Sequence, residues 1–445
     1  MSIENSISNN KIILFATGIL FFVLFFARVA RASSGGECLI LSPNDAARIA
    51  QENNPKVTSL RHRVEVEAAL IEPSGSLPDP ILGIGVANLP TDTFSFDQEA
   101  MTQTQVRLTQ KLPFPGKLSL RSSIQGLKKE IEAWRLKASI LDVRKEAISL
   151  WWELYRIETV LHLVSREEST LKKIIELSSS RYETGSGLQS DVLLSQLELT
   201  RLLDRKIALQ AKRKDVESKL LSTLGKRDGC IELKKEREMP SLVELSPAST
   251  LFEEALKTNP SIKEKETRLK LKRLSYELRK KDFYPDFSIT GAYGKRFGDN
   301  PDGSDRADFA TLVFSLNIPI FYKKKQSLQV VSSLEAIRSV EEALHDEELR
   351  LKSAISGRYA TYSGLLDQER LYRHTIIPKA ETTLSALNRA YGAGKADILG
   401  LLRAELMLYR FKESHINVLA RAKRLAAELD ALVGRDHELV GDLQQ

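Results

Sequence analysis

The chain has 445 residues, enough for two or three ordinary domains, and 28% of them are charged but only 7% aromatic. That balance favours long solvated helices over one large globular core. The formal net charge of +7 comes from basic residues interspersed with acidic ones along the chain, which argues against a nucleic-acid-binding surface.

An apolar run near the N-terminus predicts export. Lys11 precedes the run at 12–27, and Ala30-Arg31-Ala32 follows it, the arrangement of a signal peptide, so we expect cleavage after Ala32. A helix over this run would rise only about 24 Å, short of a ~30 Å hydrocarbon core. An uncleaved membrane anchor is the alternative, because Arg28 and Arg31 stand close behind the run.

Two cysteines occur, Cys38 and Cys230, and neither lies in a C-x-x-C or other metal-ligand spacing. Two cysteines of an exported chain can pair. Cys38 lies early in the mature chain, and Cys230 follows the first predicted helical pair. We therefore hypothesise a disulfide between them.

Beyond the cysteine, two short helices are predicted. The first begins at Ser42 and ends near Asn54-Pro55, because the residue before a proline is pushed out of the α region. The second spans about 56–71. The proline-rich segment at 73–80 then ends helical structure.

The next two segments alternate apolar and polar residues with a period of two, which predicts strands at Ile81–Ala87 and Gln105–Leu112. A membrane β-barrel requires such strands, apolar outward and polar inward, although a half-buried sheet of a soluble domain has the same pattern. In a barrel, Gln105, Arg107 and Thr109 would line the lumen.

A very long helix is predicted from Lys117 to Tyr182, because this stretch contains no proline and one glycine. An apolar seam repeats every seven residues and predicts a supercoiled helix about 99 Å long. The seam consists of Leu120, Leu127, Trp134, Leu141, Ile148 and Tyr155, with Ile124, Ile131 and Ala138 four residues after the first three. Trp151 and Trp152 beside it are interpreted as packing residues.

The chain then turns at Gly185–Gly187 and returns as a helix from about Gln189 to Leu224. This turn is the centre of the predicted organisation, because a related turn recurs near the end of the chain. Tyr391, Gly394 and Asp397 there match Tyr182, Gly185 and Asp191.

The whole plan repeats, which indicates a duplicated structure. Asn259-Pro260 follows Asn54-Pro55 by 205 residues. Two further strands are predicted, at Phe287–Tyr293 and Thr311–Ile320. The second long helix is predicted from Lys323 to about Tyr391, with a kink at Pro378, and the last from about Ala396 to Leu432.

We accordingly divide the chain into a signal peptide, two structural repeats and a tail. The signal peptide covers 1–32 and the tail 436–445. The first repeat, 33–240, holds a strand pair at about 80–113 and a long helical hairpin at about 117–225. The second repeat, 241–435, holds a strand pair at about 286–320 and a hairpin at about 323–434.

Four strands cannot close a barrel, and lipid does not tolerate an open sheet edge. Strands from several chains must therefore close the barrel together. Three chains would give twelve strands, within the even-numbered range of outer-membrane barrels, and their helices would continue it as a tube.

Several motifs of the sequence resemble those of the TolC family of outer-membrane efflux proteins. The resemblance covers the mature chain and includes the duplication and the two Asn-Pro elements. It rests on PDPILGIGVANLP, MTQTQVRLTQKLPFPGKL, RYETGSGLQSDVLL and IIPKAETTLSALNRAYGAGKADILGLLRAEL. The PDP, MT and PFPGK combination is most similar to the heavy-metal, CzcC-like branch.

The resemblance implies a mainly α protein with a transmembrane β part: a homotrimer with a 12-stranded barrel in the outer membrane and an α-helical tunnel across the periplasm. It would be the exit duct of a tripartite efflux system of a bacterium with two membranes. Its implied partners are a periplasmic adaptor, an inner-membrane pump and outer-membrane lipid. The implied docking tips are Tyr182, Gly185, Gly187, Asp191, Tyr391, Gly394 and Asp397.

One position departs from the family pattern. TolC closes its tip with acidic residues early in the last helix, and here the aligned positions are Gly400 and Arg403. An acidic gate is therefore not carried over. Asp191 and Asp397 are interpreted as helix caps or dipole partners.

Enzyme and cofactor motifs are missing from the sequence. No nucleotide-binding glycine motif, G-x-S-x-G or H-E-x-x-H element occurs. The six histidines (His62, His162, His345, His374, His415 and His437) form no i, i+4 pair. We predict no enzyme activity, no cofactor and no metal site.

Passive conduction of exported solutes, heavy-metal ions or drugs, is the favoured function. The alternative is a membrane-anchored periplasmic adaptor or coiled-coil scaffold. An adaptor would carry one helical hairpin flanked by small β-domains, whereas this sequence duplicates both hairpin and strand pair.

Overall fold

A computed structural model describes residues 38–234 and 240–435. The predicted signal peptide, 1–32, and the predicted tail, 436–445, lie outside the described residues.

The first repeat has three short helices, a strand pair and a long helical hairpin, with a three-residue strand at either end. Its elements are β1 (Leu39–Leu41), α1 (Pro43–Asn53), α2 (Pro55–Ala69), α3 (Ile71–Gly75), β2 (Ile81–Ala87), β3 (Gln103–Leu112), α4 (Lys117–Glu183), α5 (Gln189–Thr223) and β4 (Ile231–Leu233).

The second repeat follows the same order. Its elements are α6 (Ala248–Thr258), α7 (Pro260–Lys281), β5 (Phe287–Arg296), β6 (Phe309–Leu316), α8 (Gln326–Leu371), a π-helical segment (Tyr372–Ile376), α9 (Ile377–Gly392) and α10 (Ile398–Val433).

Several strand and helix ends differ from the prediction by two to four residues, and two short strands were not predicted. Strand β6 ends at Leu316, four residues before the predicted end at Ile320. Asn317 instead pairs with Asp286 through its side chain and its backbone N–H, and Pro319 has no N–H to continue a ladder. Strands β1 and β4 were not predicted, because three residues carry no usable period.

The long strands form one antiparallel sheet in the order β2-β3-β5-β6, in which β3 pairs with β5 from the other repeat. This junction joins the two repeats into one sheet and leaves β2 and β6 at its edges. The short strands β1 and β4 pair in parallel, and the Cys38–Cys230 disulfide lies beside them.

The helices form a layer with open sides. In the half that carries the hairpin turns, α5 packs on α4, α4 on α10, and α10 on α9. In the half near the sheet, α2 packs on α4, α4 on α7, and α7 on α8. Within the described residues, each half therefore has two outer helices that are covered on one side only.

A repeated asparagine fixes each short helix pair to the end of its own hairpin. Asn54 ends α1, caps α2 through its side-chain oxygen, and donates from Nδ2 to the carbonyl of Thr223, at 2.9 Å. Asn259 does the same in the second repeat, donating to the carbonyl of Leu432 at 2.7 Å. The duplicated Asn-Pro motif therefore has one structural role, used twice.

Two glycines make this junction possible. Gly225 and Gly434 end α5 and α10 with positive φ, 73° and 90°. A Cβ at Gly225 would lie 2.4 Å from the carbonyl oxygen of Asn53, and one at Gly434 would lie 2.6 Å from that of Thr258. Both positions require glycine for its conformation and for close backbone approach.

The first core forms around Trp151 and Trp152, which are both buried. Trp151 donates from its indole N–H to the carbonyl of Leu41, 2.8 Å away. Their interpretation as packing residues is confirmed. In the predicted seam only Ile131, Leu141 and Ile148 are buried, because α4 is packed by different neighbours along its length.

The kink predicted at Pro378 takes the form of the π-helical segment, which immediately precedes the proline-containing turn of α9. A proline cannot donate the helical hydrogen bond at its own position, and the wider π turn accommodates that loss.

No helix within residues 38–234 and 240–435 combines the length and the apolar character that a membrane crossing requires.

Replacing Cys38 and Cys230 together with serine should lower the free energy of unfolding of the mature protein by about 2–4 kcal/mol, because the bond restricts the unfolded chain across 192 residues. The measurement is the thermal unfolding midpoint, with and without reductant. Reductant should lower the midpoint of the natural chain and leave that of the double variant unchanged. Equal midpoints for the natural chain in both buffers would contradict the bond's role.

Candidate functional site

The first hairpin turn is a Schellman motif that ends α4. Gly185 adopts φ 72°, and its N–H donates to the carbonyl of Tyr182 at 3.0 Å. Ser186 donates to the carbonyl of Arg181 at 2.8 Å. A left-handed residue is needed at this position, which explains the glycine that the sequence places there.

The second hairpin turn repeats this geometry at the end of α9. Gly394 adopts φ 71° and donates to the carbonyl of Tyr391 at 3.0 Å, and Lys395 donates to that of Ala390 at 2.8 Å. The correspondence between the two turns, inferred from residue types alone, is therefore also a correspondence of backbone geometry.

The two turns lie side by side at one end of the molecule. The Arg181 guanidinium donates to the Tyr391 hydroxyl at 3.1 Å and lies 5.4 Å from the centre of its ring. Gly185, Gly187, Asp191 and Asp397 line one cleft of about 330 Å³ between them. Arg181 was not singled out from the sequence, since its partner is 210 residues away.

The acidic residues at the tips have structural roles. Asp397 caps α10, accepting from the N–H of Gly400 at 3.0 Å. Asp191 lies in the first turn of α5, where a negative charge is favourable, but it is not the cap. Neither Gly400 nor the exposed Arg403 supplies an acidic group.

Apolar side chains are exposed at the first tip. Tyr182 is 47% exposed and Leu188 is 67% exposed, and Leu193 and Leu197 continue this exposed surface along α5. Leu188 was not singled out from the sequence as a tip residue.

At the opposite end of the molecule, the sheet has one apolar face that is open to its surroundings. The register places Leu82, Ile84, Val106 and Leu108 on this face, and Leu312 and Phe314 extend it across β6. Leu312 is 79% exposed and Ile84 is 75% exposed.

The other face of the sheet is polar. Gln105, Arg107 and Thr109 all lie on it, as predicted for one face of β3, and the Thr109 hydroxyl contacts that of Thr290 at 2.8 Å. Glycines opposite these residues leave room for the long side chains. A Cβ at Gly83 would lie 2.9 Å from Cγ of Arg107.

Two neighbouring carboxyls in the last third of α4 have pKa values that are shifted in opposite directions. Burial raises the pKa of Glu167 to about 7; nearby Arg205 opposes that rise and Glu413 adds to it. Hydrogen bonds from Lys172 and Lys206, each 2.7 Å long, lower the pKa of Glu168 to about 2. The sequence shows two adjacent glutamates and gives no sign of this difference.

Histidines and carboxyls do not form a metal site in the described part of the chain, where no group of three or more metal-ligating side chains is suitably arranged. His415 is buried, and its Nε2 lies 3.1 Å from the Glu369 carboxylate. His437 is outside the described residues.

Comparison with known sequences gives two matches. Residues 251–435 match the outer membrane efflux protein family. The cobalt-zinc-cadmium resistance protein CzcC of Cupriavidus metallidurans is 23% identical over 193 residues, which cover 42% of this chain and 43% of that one. The match therefore spans less than half the length of this relative.

Comparison with solved structures covers nearly the whole chain. The outer-membrane channel OprN superposes with a TM-score of 0.74 at 15% identity, over 88% of this chain and 89% of that one. CusC, described as forming a transmembrane channel, gives 0.73 at 14% identity, over 91% and 95%. The outer membrane protein VceC of Vibrio cholerae gives 0.72 at 16%, over 88% and 96%. These findings confirm the predicted family resemblance and the predicted fold.

Replacing Glu167 with glutamine should stabilise the protein at pH 8 by about 1–2 kcal/mol and by much less at pH 5. The pKa of Glu167 is higher in the folded chain than in the unfolded chain. Ionisation therefore penalises folding as the pH rises from about 4.5 to about 7, and the penalty is complete above that. The measurement is the thermal unfolding midpoint at both pH values.

Glu168→Gln is the matched control with the opposite sign. The pKa of Glu168 is lowered on folding, so its carboxylate stabilises the folded chain above about pH 4.5. This variant should therefore lower the midpoint at both pH 5 and pH 8. A Glu167 variant that gains no stability at pH 8 would contradict the burial of that carboxyl.

Proposed function

We propose that this chain, whose residues 251–435 belong to the outer membrane efflux protein family, forms the outer-membrane exit duct of a tripartite efflux system. The observation that carries the proposal is the four-stranded sheet, which has one exposed apolar face, one polar face and two unpaired edges. Long helices extend from one end of that sheet.

The unpaired edges call for further copies of the chain. Within residues 38–234 and 240–435, strands β2 and β6 each have backbone groups without a ladder partner on one side, and a lipid environment offers them no hydrogen bonds. Pairing of β6 with β2 of the next copy would satisfy both edges. Three copies supply twelve strands, and the apolar face then meets lipid while Gln105, Arg107 and Thr109 line the lumen.

The helical layer supports the same assembly, because its outer helices carry exposed apolar side chains. Leu328, Val331 and Leu334 form a stripe on α8, and Leu193 and Leu197 lie on α5. Contiguous apolar surface of this kind marks an interaction surface. In a closed ring, α8 of one copy would meet α2 of the next, and α5 would meet α9.

Conduction through such a duct is passive. A water-filled lumen lined by polar side chains has no means of driving transport, so energy must come from an inner-membrane pump. We propose that Tyr182, Gly185, Gly187, Asp191, Tyr391, Gly394 and Asp397 dock a periplasmic adaptor, which links the duct to that pump. The chain itself would have no enzyme activity.

We propose heavy-metal cations as the exported solute. Support comes from the similarity to CzcC, whose name associates it with cobalt, zinc and cadmium resistance. The adaptor alternative is less well supported, because the chain has two helical hairpins and a shared four-stranded sheet where an adaptor would have one hairpin.

Replacing Gly185 and Gly394 together with valine should abolish export and leave the protein in the outer membrane. Valine is strained at positive φ, so both turns must change shape, although no neighbouring atom blocks the added side chain. The measurement is cellular cobalt, zinc and cadmium by elemental analysis, in a deletion strain that carries each variant. We expect several-fold accumulation with the double variant, as in the deletion strain itself.

Gly126→Val is the matched control, because Gly126 lies within α4 and a Cβ there also meets open space. It should export like the natural chain. Normal export by the tip variant would contradict docking at these turns. Accumulation of ethidium but not of metals in the deletion strain would contradict the proposed solute and leave the docking proposal standing.

A further inference from the structure

The segment between β6 and α8 is apolar at its start and cationic at its end. Ile318, Ile320 and Phe321 are 68%, 72% and 76% exposed. Lys323, Lys324 and Lys325 follow directly and are also exposed. The segment therefore continues the apolar face of β6 and then changes to positive charge within a few residues.

Aromatic side chains mark the level of this change. Phe283 contacts Tyr322 with ring centres 6.4 Å apart, and Tyr284 stacks on Phe114 at 4.5 Å. Aromatic girdles of this kind lie at the membrane–water boundary of barrels, where amphipathic rings are favourable. The lysines lie just beyond it, on the side of the helices.

Positive charge is concentrated here. Over residues 270–286 and 317–325, nine lysines and arginines stand against three acidic residues. This excess of six is close to the +7 of the entire chain. A charge so localised differs from the interspersed pattern elsewhere and needs a local explanation.

The cations surround a groove between α7 and α8. The groove measures about 640 Å³, and Lys272, Arg279, Lys324 and Lys325 line it together with the hydroxyls of Ser332 and Ser333. We call Lys272, Arg279 and Lys323–Lys325 the basic collar.

The acidic groups near the collar do not neutralise it. Arg279 pairs with Asp282 at 3.3 Å, and Asp282 also accepts from the buried Lys117. No ion pair within the described residues joins Lys272 or any of Lys323–Lys325 to a carboxylate. The ammonium groups of Lys272 and Lys323–Lys325 are therefore available to an external anion, whereas the Ser333 hydroxyl donates to the carbonyl of Gln329 at 2.9 Å.

We propose that the basic collar binds the phosphate headgroup of an anionic phospholipid in the periplasmic leaflet of the outer membrane, while Ile318, Ile320 and Phe321 contact its acyl chains. The proposal rests on the proposed function, which puts the apolar face of β6 in lipid. Headgroup layers add about 5–8 Å on each side of the hydrocarbon core, the depth at which lysines next to an aromatic girdle lie. Each lysine near an anionic membrane surface strengthens binding.

The test compares lipid binding to the detergent-solubilised protein by native mass spectrometry, with phosphatidylglycerol and phosphatidylcholine of identical acyl chains as probes. The natural chain should bind phosphatidylglycerol more tightly than phosphatidylcholine. The variant Lys323→Gln, Lys324→Gln, Lys325→Gln should bind phosphatidylglycerol at least about tenfold more weakly. The corresponding triple arginine variant should retain tight binding.

The matched control removes three charges elsewhere. Lys56, Lys173 and Lys214 are exposed, lie on helices away from the sheet, and have no ion pair within the described part of the chain. Their triple glutamine variant should bind phosphatidylglycerol like the natural chain. Equal loss in both glutamine variants would show an effect of total charge and overturn the collar site.

Two further results would overturn the proposal. The first is equal binding of the two lipids by the natural chain. The second is displacement of phosphatidylglycerol by millimolar inorganic phosphate, which would indicate a site for free phosphate. Both results are measured on protein recovered from the outer-membrane fraction. If the duct proposal were wrong, the protein would be absent from that fraction, so this outcome is distinct from a loss of lipid binding at the basic collar.

Discussion

The two unpaired strand edges are the constraint on which the rest of the molecule depends. A sheet with one exposed apolar face belongs in lipid. No water is present there to form hydrogen bonds with the backbone groups of an open strand edge. Closure with other copies meets this requirement, and it also decides the positions of the helices, since each hairpin continues from the strands. The exposed apolar stripes on α5 and α8 follow from the same requirement, because a ring of strands produces a ring of helices.

Duplication provides the rigidity that such a duct needs. In each repeat one asparagine ends a helix, caps the next one and donates a hydrogen bond to the end of the hairpin. One glycine at that end of the hairpin allows the two backbone segments to approach closely. The junction lies between the sheet and the tips, so it fixes the direction in which the hairpins leave the sheet. The disulfide and the β1–β4 pair strengthen the junction in the first repeat.

Features that depend on local chemistry could be predicted from the sequence. The absence of proline and a seven-residue period predicted α4, and paired glycines predicted both tip turns, because a left-handed residue favours glycine. Features that depend on distant partners could not. The bond between Arg181 and Tyr391 arises from how the two hairpins pack, and β1 is three residues long and pairs with a strand about 190 residues away. The opposite pKa shifts of Glu167 and Glu168 likewise depend on which face of α4 each occupies.

The most direct test of the account is the native mass of the mature protein, extracted in mild detergent from the outer-membrane fraction. One chain has a mass of 50.0 kDa with its N-terminal segment. We expect a particle of three chains, because four strands per chain then close as twelve. A monomer recovered from the inner-membrane or soluble fraction would contradict the shared barrel and favour an anchored coiled-coil scaffold.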